Sequence, residues 1–161
     1  MALYFYDTVI GQLGIEEHDN KITAIYIEKD QKLKSPPQII ETKIIKETVK
    51  QIKAYFKGEL KNFSVEFSPG GTEFMRKVWL ELTKIPYGQT ATYGEIAKRV
   101  ECPKGYRAVG LANNRNPIPI IIPCHRVIGA NGALTGFRSG IHIKQKLLDL
   151  EKRYCQILTT N

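Results

Sequence analysis

The apolar positions in the first 67 residues follow a mixed pattern of strands and one helix. Residues 2–9 are rich in aromatic and β-branched types and residues 21–28 alternate in hydrophobicity, so both are predicted to be antiparallel strands, with glycines interrupting the chain between them. Over residues 38–57 the apolar side chains recur near helical spacing, and Gly58 is placed to end an amphipathic helix. The alternation at 62–67 predicts a returning strand.

Two polar or glycine-rich segments interrupt these patterns. The lysine-rich stretch at 30–37 is predicted to be a loop, and Ser-Pro-Gly-Gly at 68–71 is typical of a turn between domains. We therefore expect a small N-terminal α+β domain at 1–68 and a second domain at 69–161.

Beyond residue 71 the pattern is helical. Thr72 is placed to cap a helix that ends near residue 84, in which Trp79 is expected to anchor the core. Thr92 and Glu95 have the spacing of a capping box at the start of a second helix at about 93–100. The remaining predicted helices lie at 106–115 and at the C-terminus, where Ile143, Leu147, Leu150 and Tyr154 share one face.

The two short helices at 93–100 and 106–115 have the outline of a helix-turn-helix, because a tight glycine-containing turn joins them. The second helix would present Arg107 near its N-terminal end, where recognition helices make contacts. A helical hairpin in an ordinary core has the same outline. After it, the prolines at 117 and 119 predict a stiff extended path toward Cys124.

Composition and charge restrict the function. The chain has 42% hydrophobic and 25% charged residues, which is ordinary for a globular protein. It has neither a run of about 20 apolar residues nor a secretory signal, so a cytoplasmic protein without a membrane span is expected. Residues 1–67 hold ten basic and ten acidic residues, whereas residues 68–161 hold 14 basic and 6 acidic ones and all seven arginines. This asymmetry suits a phosphate-rich partner, although a basic solvated surface would look the same.

The candidate chemistry centres on adjacent Cys124 and His125, because a thiol beside an imidazole can form an activated nucleophile. Three cysteines without close pairing and three scattered histidines favour neither a disulfide framework nor a zinc site. In the cytosol the three thiols would stay reduced and could react. A buried cysteine, however, is often an inert hydrophobic residue. Glu151, at the edge of the last apolar stripe, needs a partner.

Several segments of the second domain together form a specific sequence pattern. They are Pro-Cys-His-Arg-Val at 123–127, Asn-Pro-Ile-Pro-Ile at 116–120, Arg-Ala-Val-Gly at 107–110, the twelve residues Pro-Tyr-Gly-Gln-Thr-Ala-Thr-Tyr-Gly-Glu-Ile-Ala at 86–97, and Leu-Leu-Asp-Leu-Glu at 147–151. This pattern resembles the O6-alkylguanine-DNA alkyltransferases, also called methylated-DNA–protein-cysteine methyltransferases. The resemblance implies an α+β fold, with a small ribonuclease H-like N-terminal domain containing an antiparallel sheet and a mostly helical C-terminal domain containing the helix-turn-helix.

The resemblance also implies a reaction without cofactor or metal. Cys124 would attack the alkyl carbon on guanine O6 and keep the alkyl group permanently, so each molecule would act once. In the family the histidine matching His125 works through a water, and the glutamate matching Glu151 orients it. Asn116 matches an asparagine that steadies the cysteine, and Tyr93 matches a tyrosine that contacts the flipped nucleotide and donates a proton toward the leaving guanine.

The implied partner is double-stranded DNA containing alkylated guanine, bound through its minor groove by a monomer, with cooperative binding along DNA left open. Arg107 matches the arginine that enters the stack in place of the flipped base. Small residues on the same helix would allow close approach of the backbone. The further DNA-binding candidates are Thr92, Tyr93, Gly94, Lys104, Ala108, Gly110 and Asn114.

The loop after the cysteine departs from the family pattern, because it reads Gly-Phe-Arg-Ser-Gly at 136–140. Arg138 is expected to reshape the lid over a pocket that includes Val127 and Ser139. The range of alkyl groups that the site accepts therefore stays open. Activity on O4-alkylthymine also stays open. Arg126 is expected to be structural or to pair with phosphate. Two alternatives are a lesion-binding protein without repair activity, whose relatives lack the reactive cysteine, and a cysteine hydrolase using Cys124 and His125.

Overall fold

The computed structural model describes residues 1–27 and 38–159, with side chains to residue 155. The loop predicted at 30–37 and the last residue of the predicted strand 21–28 lie outside this range. The chain forms two compact units, one of Met1–Gly70 with Pro117–Pro119 and one of Gly71–Asn116 with Ile120–Asn161. The first contains a sheet and one helix and the second is mostly helical, which confirms the predicted two-part α+β architecture.

Within the described residues, the sheet of the first unit has four strands. They are β1 (Ala2–Thr8), β2 (Gly11–His18), β3 (Lys21–Ile27) and β4 (Gln38–Ile39), in the order β3-β2-β1-β4. Strand β2 is antiparallel to both β1 and β3, whereas β4 is parallel to β1. The sequence prediction missed β2 because it treated the glycines as interruptions.

Gly14 lies within β2 because of close packing. It pairs with Phe5 of β1, and a Cβ atom on Gly14 would lie 2.8 Å from the Phe5 ring. A glycine inside a strand commonly marks such a close approach. The aromatic ring therefore explains a glycine that the sequence pattern alone assigned to a break.

The helix of the first unit, α1 (Lys43–Phe56), is shorter than predicted. The Thr42 side chain accepts a hydrogen bond from the Ile45 amide and caps the helix, while Gln38 and Ile39 belong to a strand. The predicted start at residue 38 was wrong, because a capping threonine determines where the helical hydrogen bonds begin. The end was placed correctly, since Gly58 follows with φ of 75°.

The prediction of a returning strand at 62–67 was also wrong, apart from a single bridge to the sheet. Phe67 forms an isolated parallel bridge with Ile22. Ser64, however, bonds through its amide and hydroxyl to the Gln51 side chain of α1, at 3.0 and 2.8 Å. The Gln51 side chain thus accepts from a backbone amide that the prediction assigned to the hydrogen bonds of a strand.

As far as residue 159, the second unit has four α-helices, a 3-10 turn and a pair of short parallel strands. Thr72 and the Thr92–Glu95 capping box begin two of the helices as predicted. The elements are α2 (Glu73–Thr83), β5 (Ala91–Thr92), α3 (Tyr93–Arg99), α4 (Tyr106–Asn114), the turn Cys124–Arg126, β6 (Val127–Ile128) and α5 (Ile141–Thr159).

Trp79 anchors the core of this unit, as predicted. Its side chain is buried, and its indole Nε1 donates a 2.8 Å hydrogen bond to the carbonyl of Ala112 in α4. A buried tryptophan with its N–H satisfied combines a large apolar contact with a directional link. Among the described residues, no helix is both long and apolar enough to span a membrane.

Candidate active site

The path from α4 to the cysteine is a compact turn. Asn116 donates from its Nδ2 to the carbonyl of Ile122 at 2.8 Å, and Ile120 between them has φ of 75°. The extended path predicted from the prolines was therefore wrong. The cause is a side-chain hydrogen bond that closes the loop around a left-handed residue, a contact that the local proline pattern does not encode.

Cys124 begins the 3-10 turn and is 4% exposed. Its amide donates to the carbonyl of Ile122, and its own carbonyl accepts from Nδ2 of Asn113 at 3.3 Å. Burial raises the pKa of the thiol to about 11, although a hydrogen bond with the Asn116 side chain and the charges of Lys144 and Arg138 act in the opposite direction. The resting site therefore holds a protonated thiol that needs a base to become a nucleophile.

His125 and Glu151 form a fully buried pair. The distance between His125 Nε2 and Glu151 Oε2 is 2.5 Å, and the two side chains are 0% and 1% exposed. Arg126 donates to the same carboxylate twice, from Nε to Oε1 at 2.8 Å and from a terminal nitrogen to Oε2 at 3.1 Å. The amide of Gly88 adds a fourth contact at 3.1 Å. These groups are the partners that the sequence required for Glu151, and they place Arg126 inside the site.

Burial and neighbouring charges determine the protonation states of His125 and Glu151. Burial lowers the pKa of His125 although Glu151 opposes it, so the imidazole is neutral at rest. Burial by itself raises the pKa of Glu151, but hydrogen bonds and charge from His125 and Arg126 outweigh it and lower the pKa to about 2. A carboxylate only accepts hydrogen bonds, so Nε2 of the neutral ring carries the proton and Nδ1 carries the lone pair. Nδ1 is buried and has no hydrogen-bond partner in the described part of the protein.

A second cluster surrounds the carbonyl of Thr135. This oxygen accepts from the Tyr93 hydroxyl and from Lys144 Nζ, each at 2.9 Å. Lys144 also donates to the carbonyl of Val127 at 2.5 Å. Burial raises the pKa of Tyr93, so the phenol keeps its proton. The Thr135 oxygen thus joins residues of α3 and α5, and Lys144 links it to the Val127 carbonyl in β6.

Sequence reasoning missed two buried polar residues of this site. Lys144 is fully buried and lies next to Ile143 in the apolar face of α5, and Asn113 is buried in α4. A signal for Lys144 was present, because a charged residue beside an apolar helical stripe requires partners for the same reason as Glu151.

The other predicted residues lie around these clusters. Arg107 and Ala108 are exposed on α4, and the Arg107 guanidinium lies 5.9 Å from the centre of the Tyr106 ring. Arg138 is exposed, yet its charge acts on Cys124. Thr92, Gly94, Gly110, Asn114 and Ser139 are half-buried, Lys104 is exposed in the turn before α4, and Val127 is buried.

The described residues contain no group of three or more His, Cys, Asp or Glu side chains that could hold a metal ion. The fold and the site define an α+β protein whose helical part carries a buried cysteine next to a neutral histidine held by an ionised glutamate. This arrangement suits reactions in which a thiolate accepts a transferred group.

Two family models match the sequence. Residues 73–153 match the DNA-binding domain of 6-O-methylguanine DNA methyltransferase, and residues 1–69 match its ribonuclease-like domain. The chain therefore belongs to the 6-O-methylguanine DNA methyltransferase family. The predicted family and enzyme class are confirmed.

Similar proteins span nearly the whole chain. A methylated-DNA–protein-cysteine methyltransferase of Methanosarcina acetivorans is 56% identical over 94% of this chain and 98% of its own length. The crystal structure of Mycobacterium tuberculosis OGT in complex with DNA has a TM-score of 0.90 and 44% identity, covering 96% of this chain and 94% of that one. The O6-methylguanine-DNA methyltransferase of Pyrococcus kodakaraensis has a TM-score of 0.71 and 30% identity, with 92% and 98% covered.

Proposed function

We propose that this protein repairs DNA by moving an alkyl group from guanine O6 to Cys124, once per molecule. Family membership supports DNA repair by alkyl transfer to a protein cysteine. Cys124 is supported as the acceptor by its position in the same 3-10 turn as His125. The Nε2 atom of that histidine is held by the ionised Glu151. Cys102 and Cys155 lie elsewhere, in the turn before α4 and on α5.

The transfer begins with the thiol proton. Nδ1 of neutral His125 takes this proton through a water, because Nε2 is already engaged with Glu151. The carboxylate then faces an imidazolium, and this pairing stabilises the charge that develops when the thiolate forms. Glu151 is therefore assigned the role of orienting and stabilising the base.

The thiolate sulfur attacks the alkyl carbon in line with the bond to O6. A carbon–sulfur bond forms, the carbon–oxygen bond breaks, and its electron pair goes to the guanine. Tyr93 donates a proton toward the leaving guanine, and the proton first taken by His125 then returns to the tyrosinate. Since the Tyr93 hydroxyl donates to the Thr135 carbonyl at rest, guanine entry must replace that hydrogen bond.

DNA binding is assigned to α3 and α4 acting as a helix-turn-helix in the minor groove. The C-terminal part of the chain carries the whole excess of positive charge, which suits the phosphate backbone. Arg107 is exposed near the start of α4, and its planar guanidinium can fill the space left by a flipped base. The M. tuberculosis relative that this chain resembles was crystallised with DNA.

The remaining predicted residues support these two roles. Thr92, Gly94, Lys104, Ala108, Gly110 and Asn114 are assigned to the DNA surface, and Asn116, Val127, Arg138 and Ser139 to the surroundings of the thiol. A ribonuclease H-like fold for the first unit, a cytoplasmic location and a monomeric state stay predictions.

A mass measurement tests the proposal. The protein is mixed with duplex DNA containing O6-methylguanine, and the peptide containing Cys124 is weighed. We expect a mass gain of one methylene unit, because the methyl group replaces the thiol hydrogen. This gain should saturate at one per molecule, with the peptides of Cys102 and Cys155 unchanged. No gain would support a lesion binder without repair activity, and repeated turnover of an ester or amide would support a hydrolase; either result contradicts the proposal.

A serine variant separates chemistry from binding. Cys124→Ser should abolish transfer and still bind DNA, with an affinity that falls as salt rises, because phosphate contacts do not involve the thiol. Cys102→Ser and Cys155→Ser are the matched controls and should transfer at the normal rate. Equal loss of transfer and DNA binding in Cys124→Ser would contradict the separation of roles.

A further inference from the structure

We infer that one face of α1 is a second DNA-binding surface, which contacts the phosphate backbone of duplex DNA without reading its sequence. This face carries the lysine stripe, which consists of Lys43, Lys46, Lys50, Lys53 and Lys57. The inference goes beyond the proposed function, which assigns DNA binding to α3 and α4 of the other unit.

The five lysines share one side of the helix. Successive members are three or four residues apart, so the stripe covers about 80° of the helix circumference and extends about 21 Å along the axis. All five residues are exposed. The opposite face is buried in the core of the unit, and it includes Ile45, Val49 and Ile52. The stripe is therefore a continuous row of ammonium groups that faces solvent.

The protein itself neutralises little of this charge. In the part of the chain that the structure describes, the ion pair of the stripe joins Lys46 Nζ to Glu41 Oε1 at 4.0 Å. Glu41 also accepts from the Tyr6 hydroxyl at 2.6 Å. The acidic residue within α1, Glu47, accepts from Gln51 at 3.2 Å. Among the described residues, four of the five ammonium groups thus have no carboxylate within ion-pair distance.

Helix stability does not explain the stripe. Like charges three or four residues apart repel one another, and an exposed helix face commonly alternates both signs. Lys43 lies in the first turn, where the helix dipole favours acidic residues, and this turn has none. The dipole favours Lys53 and Lys57 near the C-terminal end, but not the rest of the stripe. A bound polyanion would relieve the repulsion along its whole length.

A cleft runs beside the stripe. Its volume is about 820 Å³, and all five lysines line it. Glu41, Glu47 and Glu59 line it too, so five cations face three carboxylates. The Lys53 ammonium lies 5.8 Å from the centre of the Tyr6 ring at the same cleft. The cleft is therefore a concave surface of net positive charge, along which a chain of phosphates can lie.

Duplex DNA matches this surface in charge density. It carries one negative charge per about 1.7 Å of its axis, so a stripe of about 21 Å faces about 12 phosphate charges. Lysine binds phosphate as a flexible point charge, which suits a backbone contact that does not depend on sequence. The family of this chain is defined by a DNA-binding domain, so duplex DNA is a partner of the protein.

Other occupants fit less well. A helix that lies on a membrane inserts an apolar face, whereas the apolar face of α1 is buried in its own unit. Protein–protein interfaces are depleted in lysine, and the stripe presents five of them. A second copy of this chain would bring a net charge of +8, which repels the stripe.

Acetylation of lysines maps the surface in the unaltered protein. The full chain is treated with acetic anhydride with and without duplex DNA that contains no lesion, and the modified peptides are measured by mass spectrometry. We expect the DNA to slow acetylation of the stripe at least about threefold, with protection that fades as salt rises. Lys77, Lys146 and Lys152 are exposed on α2 and α5, and as internal controls they should react equally in both samples.

Two results of this mapping would overturn the inference. One is a stripe that reacts equally with and without duplex DNA. The other is protection by vesicles containing phosphatidylserine in the absence of any protection by DNA, because the surface would then be a membrane contact.

A combined variant measures the contribution to binding. Lys46→Gln, Lys50→Gln and Lys53→Gln remove three charges from exposed positions, and glutamine has nearly the helix propensity of lysine. The plot of log affinity for lesion-free duplex against log salt should become less steep by about 2 to 3, since each phosphate contact contributes about 0.9. The control combines Lys77→Gln, Lys146→Gln and Lys152→Gln, and its slope should change by less than about 1. Equal slopes in the two variants, both folded by circular dichroism, would contradict the inference.

These readouts are separate from repair. The stripe variant should transfer a methyl group from saturating duplex DNA at the normal rate, because its changed residues lie outside α3, α4 and the cysteine turn. A protein whose stripe is protected by DNA but which gains no methyl group would contradict the proposed function and support the second surface. Normal methyl transfer with an unprotected stripe would do the reverse.

Discussion

Glu151 lies 26 residues beyond His125 in the sequence, and its Oε2 lies 2.5 Å from His125 Nε2 in a site closed to solvent. The same carboxylate binds the guanidinium of Arg126, the next residue after the histidine. One glutamate on α5 thus neutralises a buried arginine and determines which nitrogen of the histidine is basic. Its roles in stability and in chemistry are inseparable at this position.

Removing the charge of Glu151 should destabilise the protein. Glu151→Gln leaves the buried Arg126 without its counter-ion, and we expect a loss of about 3 kcal/mol or more in the free energy of unfolding, measured in urea. The same variant should transfer methyl groups at least about 100-fold more slowly. Asp149→Asn, exposed on the same helix, is the control and should change stability by less than about 0.5 kcal/mol. A Glu151→Gln variant as stable as this control would contradict the assigned pairing.

The same pair predicts how stability depends on pH. Both folded-state pKa values are lowered, that of His125 by burial and that of Glu151, to about 2, by His125 and Arg126 despite its burial. A group whose pKa is lowered by folding stabilises the protein above its unfolded pKa and loses that contribution as pH falls. The free energy of unfolding should therefore decrease below about pH 6.5, where an unfolded histidine gains its proton, and again from about pH 4.3 toward 2. His125→Gln should remove the first decrease and keep the second, and a protein whose stability rises on acidification would contradict both assignments.

Arg107 should matter for the duplex and not for the thiol. We expect Arg107→Ala to slow methyl transfer from duplex DNA at least about tenfold, because opening the stack costs a few kcal/mol that the arginine offsets. Transfer from O6-methylguanine in single-stranded DNA should change much less, since no stack has to be opened. Arg153→Ala, an equal loss of charge on α5, is the control for net charge. Equal slowing on both substrates would rule out a role inside the duplex.

Two glycines near the site offer a matched test of the loop. Gly136 and Gly132 have φ of 66° and 80°, so an alanine at either position should cost about 1 kcal/mol in stability. A Cβ atom on Gly136 would lie 3.2 Å from the Tyr93 hydroxyl, whereas one on Gly132 meets no atom within 4 Å. Gly136→Ala should therefore slow methyl transfer in a single-turnover assay, and Gly132→Ala should not. Equal rates in the two variants would show that crowding of the tyrosine is unimportant.

Much of the local structure was predictable because its causes are local. Thr72 and Thr92 cap helices through contacts three residues away, and Trp79 lies on an apolar helical face, so each was read correctly from neighbouring residues. Strand β2 and the start of α1 were not, because the Phe5 ring over Gly14 and the capping role of Thr42 compete with the hydrophobic pattern. Packing and capping can override a periodic pattern of apolar residues.

The sequence by itself determined the family, the enzyme class and the cysteine proposed to react, because these depend on which residue types follow one another. The tertiary structure decided which charged and hydrogen-bonding groups surround that cysteine. Only folding brings Glu151 to both His125 and Arg126, and only folding buries Lys144 against two carbonyls. The physical reason is that burial and long-range pairing set charge and protonation, and neither can be read from a stretch of neighbouring residues.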